Sequence, residues 1–334
     1  MQDLKEMREI YCDSLIEMAK TNKDIVVVEA DLITCRQPGP FKTAYPGRCF
    51  DGGVAEANMI GLASGLATCG KVPFGSSFAT FATRRCFDQI FISVAYSKQN
   101  VKIVGTDPGI CAELNGGTHM PFEDMGIMRG IPQMVCVEPT DGAMLKSLMP
   151  QIADYKGAVY IRLFRKKTEK IFEDGAQFDL FKAFTVRSGR DVTIIASGIM
   201  VDRAIKAAEI LKDRGIDAEI VNVYTWKPID EETITRSVKK TGAVVVAENH
   251  NIFNGLTSAV SEVTSGLCPV PVESVSVKDQ FGEVGKIAYL PDSYDLKRNN
   301  IVDSAAHARP RSSYRRKIRI SAIRGACLSG FYTR

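Results

Sequence analysis

The chain has 334 residues, 45% of them hydrophobic and 25% charged, which fits a soluble globular protein and excludes a disordered, collagen-like or highly acidic solvating chain. Its length exceeds what one core usually fills, so about two domains are expected. The net charge of +4 hints at an anionic partner, but Arg309–Arg334 holds seven Arg, one Lys and no acid, and the remaining body, with 35 basic against 39 acidic residues, makes no electrostatic case for nucleic acid.

In chain order, Leu4, Met7, Ile10, Tyr11, Leu15 and Met18 recur at helical spacing over Asp3–Asn22. Asp3 is the expected N-cap, with Glu6 three residues later completing a capping box. The β-branched run between Asp24 and Asp31 reads as a strand, apolar throughout as a sheet covered on both faces requires. A helix rich in small residues follows over Ala55–Thr68. Next come a strand at Val72–Gly75, a helix at Ala79–Ser97 and strands at Val101–Gly105 and Met134–Val137. A helix at Asp141–Tyr155 and a strand at Val159–Leu163 close this half. The charged stretch from Arg165 to Asp179 breaks the pattern and reads as a linker. The alternation resumes with strands at Val192–Ala196, Ala218–Tyr224, Val244–Ala247 and Val272–Val277. Between them lie helices at Val201–Arg214, Asp230–Lys240 and Leu256–Ser265, with Gly215 as a helix-ending glycine. Strands alternating with helices indicate parallel α/β sheets. The division expected is residues 1–165, a linker 166–188, a smaller α/β domain 189–308 and a basic tail 309–334.

Nine cysteines without a CxxC pair and only three histidines argue against a zinc site or a disulfide framework. Reduced cytoplasmic thiols fit best. No run of about 18 apolar residues offers a membrane span, and MQDLKEMREI lacks the apolar region of a signal peptide.

The common nucleotide and hydrolase motifs are missing. What stands out are polar or glycine-rich connections after strand ends, where open α/β sheets bind ligands. Glu56 sits among Val54, Ala55 and Met59 near a helix start. It is either a carboxylate stabilising a helix N-terminus or a partly buried acid able to hydrogen-bond a ligand ring nitrogen. Phe78 and Phe81, three apart, share one helix face. They are either core aromatics or a stacking surface for a heteroaromatic ring. Arg84 and Arg85 follow, as solvated charges or anion contacts. Gly116 and Gly117 let backbone approach a ligand closely, and His119 presents an imidazole from the same loop. His250, after the strand in the second half, reads as a structural residue.

These segments resemble the carboxyl-terminal half of transketolase over roughly residues 5–308. The matches are GVAEANMIGLASGLA, PFGSSFATFATRRCFDQI, GGTHMPFEDMGIMR and YIRLFR, then KPIDEE and TGAVVVAENH in the second half. The order and spacing look most like short transketolases split into two polypeptides. The resemblance implies two three-layer α/β/α domains: a pyrimidine-binding domain and a smaller transketolase C-terminal domain. It implies thiamine diphosphate chemistry and transfer of a two-carbon ketol group from a ketose phosphate to an aldose. Glu56 matches the family glutamate that bonds the aminopyrimidine, whose ring nitrogen can then take the thiazolium proton. Phe78 and Phe81 match stacking aromatics, and Asp31 lies on the thiazolium side. His119 matches a histidine facing substrate, and Arg165 an arginine that binds substrate phosphate.

The family's GDG motif with a following asparagine, which holds Mg²⁺ and the diphosphate, is missing. The resemblance therefore implies no metal ligand in this chain. It implies a separate diphosphate-binding N-terminal subunit that ligands the Mg²⁺, in an α2β2 assembly. Asp107 replaces a histidine common in transketolases acting on sugar phosphates. Asn115 replaces an aspartate that reads a sugar hydroxyl, and Arg84 stands where a third aromatic can cover the pyrimidine. These substitutions keep a deoxyxylulose-phosphate-synthase-like enzyme, a 2-oxo acid dehydrogenase beta subunit and a non-catalytic module open as alternatives. The resemblance fades near Ala308, so residues 309–334 are expected to be disordered or an aberrant extension.

Overall fold

The structure is a computed structural model describing residues 2–32 and 39–308. The basic tail lies outside the described residues. The first half contributes six parallel strands: β1 (Ile25–Glu29), β2 (Cys49–Asp51), β3 (Val72–Phe78), β4 (Lys102–Thr106), β5 (Val135–Val137) and β6 (Val159–Leu163). The second half contributes β7 (Phe184–Arg187), β8 (Val192–Ala196), β9 (Ala218–Asn222), β10 (Thr225–Lys227), β11 (Val244–Asn251) and β12 (Val272–Val277). One sheet has the order β10-β5-β6-β4-β3-β1-β2, the other β12-β11-β8-β9-β7. Helices cover both faces of each sheet, giving the two three-layer α/β domains expected. Every residue of β1, β4, β6, β8 and β9 is buried, the condition that makes their sequences near-continuously apolar.

The halves interlock. β10 comes from the second half but pairs antiparallel with β5, placing Thr225 opposite Val137. One apolar layer also runs from Val28, Ile103 and Cys136 of the first sheet to Ile195, Val221 and Val246 of the second. β7 pairs antiparallel with β9 and lies inside the segment 166–188 expected to link the halves.

Three local expectations are corrected. The first helix runs Met7–Thr21, and its capping box is formed by Glu6 and Glu9, with Glu9 accepting from the Glu6 N–H at 2.7 Å. Asp3 has other partners: its carboxylate accepts from the Gly142 N–H and the Thr168 hydroxyl at 3.0 and 2.7 Å. β3 continues three residues beyond Gly75, because Ser76 donates to the buried Glu29 across the sheet. Ala79–Ser97 is not one helix. It is an α turn to Thr83, a 3₁₀ turn Arg84–Cys86, a short α turn and a π segment Ile90–Tyr96. Ser64 of the neighbouring helix donates to the Ser93 carbonyl at 2.6 Å, and the Ser97 N–H reaches back five residues to Ile92. A side chain entering the ladder in this way re-spaces a helix.

All seven cysteines among the described residues are free. Burial pushes Cys12 and Cys49 up to about 11 and Cys86 up to about 12, so these three are unreactive thiols at neutral pH.

Candidate active site

Parallel strands place their carboxyl ends on one edge, and the candidate residues gather there. After β2, Asp51 turns the chain: its Oδ1 accepts from the Asp31 and Gly53 N–H groups at 2.9 and 3.0 Å. Gly52 donates to the Glu29 carbonyl at 2.9 Å. This turn delivers Glu56 as the first residue of the Glu56–Thr68 helix. There its carboxylate gains from the helix dipole, yet the residue is only 3% exposed. Arg85 Nη1 donates to Glu56 Oε2 at 2.9 Å.

Phe78 ends β3 and Phe81 lies in the helical turn after it. Their rings meet edge to face with centroids 6.0 Å apart. His119 packs against both, at 5.4 Å from Phe78 and 5.0 Å from Phe81. Its Nδ1 is 2.9 Å from the Thr118 hydroxyl, which leaves Nε2 as the nitrogen for an incoming oxygen. Arg165, after β6, places its guanidinium 5.9 Å from the Phe78 ring and its Nε 3.2 Å from Asp107 Oδ2. Asp107 is buried, with a left-handed backbone (φ 56°) at the end of β4.

Six candidates therefore form one continuous group: Glu56, Phe78, Phe81, His119, Arg165 and Asp107. Arg85 joins Glu56 to the aromatics, its guanidinium 5.0 Å from the Phe81 ring. Asp31 is exposed and tied to the turn before Glu56 through its backbone. Asn115 is exposed at the end of the 3₁₀ segment Gly109–Asn115. Among the described residues, no hydrogen bond or ion pair joins its side chain to the others. Arg84 points elsewhere, bonding Thr80 and pairing with Glu123 at 3.0 Å.

Sequence reasoning missed the group behind the site. Arg162, wholly buried on β6, donates to Asp124 from Nε and Nη2 at 2.8 and 3.0 Å, and to Glu138 from Nη1 at 2.7 Å. Tyr160 donates to Asp124 at 2.7 Å. Burial alone would push Asp124 up, but the Arg162 guanidinium and the Tyr160 hydroxyl hold it below the usual carboxylate range. The cluster crosses to the second half: Ser197 donates to Glu138, and Arg162 donates to the Asn249 carbonyl at 2.9 Å. Asn249 in turn holds the Ile110 N–H and the Pro108 carbonyl, both at 3.0 Å. It therefore fixes the chain just after Asp107. Gly109 is required there, since its φ is +55° and a Cβ would come within 2.3 Å of the Asn249 amide oxygen. The signal available in the sequence was an arginine inside the apolar run YIRL, because a buried guanidinium demands carboxylates.

Both ring nitrogens of His250 are engaged by the backbone. It is buried against Trp226. The Gly126 N–H donates to its Nε2 at 3.2 Å, and its Nδ1 donates to the Asn251 carbonyl at 2.8 Å. Burial lowers it to about 4. Its imidazole signals should therefore hold constant in an NMR titration from pH 8 to pH 5. A histidine free in solution titrates near 6.5, and a midpoint there would contradict the buried neutral form.

Among the described residues, no group of three or more His, Cys, Asp or Glu could hold a metal ion, and no helix is long and apolar enough to cross a membrane. The family models for the transketolase pyrimidine binding domain and the transketolase C-terminal domain match residues 4–170 and 182–301. The chain is 50% identical over 309 residues to the 6-deoxy-6-sulfo-D-fructose transketolase subunit SqwH of Clostridium sp. (strain MSTE9), covering 92% of this chain and 96% of that one. It is 45% identical to a putative transketolase C-terminal section of Methanocaldococcus jannaschii, covering 89% and 94%. A solved structure described as a split gene transketolase, inactive beta4 tetramer, superposes with a TM-score of 0.84 at 39% identity, covering 91% of this chain and 98% of that one.

Proposed function

The chain belongs to the transketolase family, and we propose that it is the pyrimidine-binding subunit of a split, thiamine-diphosphate-dependent transketolase. Its reaction in this reading is transfer of a two-carbon ketol group from an anionic ketose, a ketose phosphate in the first instance, to an aldose or aldose phosphate. The observation that carries the reading is the buried Glu56 carboxylate, joined through Arg85 to the Phe81 ring, which packs with Phe78 and His119.

These residues fit the cofactor's aminopyrimidine. An acid in a nearly dry pocket can share a proton with a ring nitrogen, and edge-to-face phenylalanines offer an apolar wall to a planar ring. When bound, thiamine diphosphate supplies a carbon nucleophile for breaking and remaking the bond beside a carbonyl. The chain's own work is then threefold. Glu56 holds or gives up a proton at its carboxyl oxygen. Phe78 and Phe81 keep water from that carboxyl, with Asp31 bordering the pocket. His119 Nε2 orients a substrate hydroxyl, Asp107 holds Arg165, and Asn115 is assigned to the substrate side by the family resemblance.

The sequence lacks the GDG motif and its asparagine, so the diphosphate and Mg²⁺ fall to a diphosphate-binding N-terminal subunit. The assembly in this reading is a cytoplasmic α2β2 complex. Residues 1–165 form the pyrimidine-binding domain, 166–188 the connection and 189–308 the C-terminal domain.

In this reading Arg165 receives the anionic end of the ketose, since a guanidinium presents paired N–H donors to two oxygens of a phosphate or a sulfonate. The name of the Clostridium relative makes a sulfonated ketose the second substrate to try. The test is ketol transfer by the chain assembled with its partner, thiamine diphosphate and Mg²⁺, using fructose 6-phosphate and 6-deoxy-6-sulfofructose as donors. Transfer from neither, or consumption of pyruvate instead, would overturn the reading. In the active complex, Arg165→Ala should raise KM for the anionic donor about 10- to 100-fold, with a smaller change in kcat, because the contact serves substrate and transition state alike. An unchanged KM would remove Arg165 from the substrate site.

A further inference from the structure

The geometry points to Arg85 as a stand-in for the cofactor ring: in the free chain its guanidinium occupies the Glu56–Phe81 cradle, and the aminopyrimidine must displace it. The inference rests on the reading that this cradle takes thiamine diphosphate.

Two contacts carry it. Arg85 Nη1 donates to Glu56 Oε2 at 2.9 Å, and the guanidinium carbon lies 5.0 Å from the Phe81 ring centroid. A guanidinium is planar, carries N–H donors along its edge and rests readily on an aromatic ring. Those properties let it meet both the acid and the aromatic surface offered to a heteroaromatic ring. The position is a consequence of the broken helix. Arg84 and Arg85 lie in the 3₁₀ turn between the Ala79–Thr83 and Phe87–Gln89 segments. Arg84 is anchored on Thr80 and Glu123, while Arg85 swings to Glu56.

The arrangement answers two needs in turn. Without ligand, a carboxylate only 4% exposed in its side chain would lack a counter-charge, and Arg85 provides one. With ligand, the acid must address a ring nitrogen, and a bound guanidinium works against that by holding the carboxylate oxygen Oε2 in its own hydrogen bond. Arg85 can leave cheaply. Its side chain is 54% exposed, so the pair is weak and solvent takes over its donors. Arg85 thereby lowers cofactor affinity while protecting the empty site.

The test is calorimetric titration of thiamine diphosphate with Mg²⁺ into the complete complex. Arg85→Ala should bind about fivefold more tightly than wild type, the order expected for removing one half-exposed ion pair from the competing state. Arg85→Gln gives the same readout where the alanine variant does not assemble. Arg85→Lys keeps the charge and should stay within about twofold of wild type. In a Glu56→Gln background the gain from Arg85→Ala should fall below about twofold, since glutamine leaves Arg85 only a neutral hydrogen bond in place of the competing ion pair. Unchanged or weaker binding by Arg85→Ala, or an equal gain in both backgrounds, overturns the inference and leaves the proposed function standing. A wild-type complex that takes no cofactor overturns both.

Discussion

Glu56→Gln should lower kcat for ketol transfer by about 10²- to 10⁴-fold, the range spanned by positioned acid–base groups, while leaving fold and assembly intact. Glutamine matches glutamate in size and its carbonyl oxygen can still accept from Arg85, so the buried position keeps its packing and its partner. What it cannot do is exchange a proton with a ligand's ring nitrogen. The lost contact is an ion pair open to solvent on the arginine side, worth at most about 1 kcal/mol of stability. The thermal midpoint should therefore barely move while turnover collapses. The measurement is steady-state kcat at saturating cofactor, beside a melting curve of the same preparation. A kcat within about twofold of wild type would remove Glu56 from the chemistry and leave it as a helix-terminus carboxylate.

The strands that were legible in the sequence are those buried on both faces, such as Ile25–Glu29 and Val192–Ala196, because their composition reports their environment directly. Ser76–Phe78 was not legible. Its polar start is tolerated only because Ser76 meets Glu29, a residue 47 positions earlier inside another strand. Thr225–Lys227 escaped for a related reason. A three-residue strand has no periodicity of its own, and this one exists because the second half docks on the edge of the first half's sheet.

The site divides the same way. Glu56, Phe78, Phe81, His119 and Arg165 were visible because each follows or ends a strand, and parallel strands bring such positions to one edge. Arg84 and Arg85 look equivalent in sequence, and only the 3₁₀ turn sends them to opposite partners. In YIRLFR the sequence drew attention to the half-buried end at Arg165. Arg162, three residues earlier, depends on carboxylates 24 and 38 residues away that no local pattern reveals.

Arg162→Met carries the largest expected cost in stability. The side chain is wholly buried and pairs with two carboxylates that are themselves buried. Removing it leaves Asp124 with the Tyr160 hydroxyl and Glu138 with the Ser197 hydroxyl, neither of which balances a charge. Breaking a buried pair from one side costs about 3–5 kcal/mol, a large share of the 5–15 kcal/mol typical of a folded domain. The sign of the pH dependence should also reverse. In the wild type, Asp124 is held below its ordinary value of 3.8. Its contribution is full above that value and is lost as pH falls through the depressed one. In the variant Asp124 keeps the burial that raises it and loses the guanidinium that offset it. The folded state then binds protons more readily than the unfolded one, so stability should rise as pH falls from 8 towards 5. Urea unfolding across that range measures both effects. The triple variant Arg162→Met/Asp124→Asn/Glu138→Gln removes all three charges together and should recover most of the loss, since neutral replacements of buried ionic groups are often tolerated. Because Arg162 also holds the Asn249 carbonyl, and Asn249 fixes Pro108 and Ile110, the triple variant should fold yet show a raised KM at Arg165's partner loop. A single variant within about 1 kcal/mol of wild type at pH 7 would show that the cluster contributes little to stability and that the β10–β5 pairing and the shared apolar layer hold the two halves together without it.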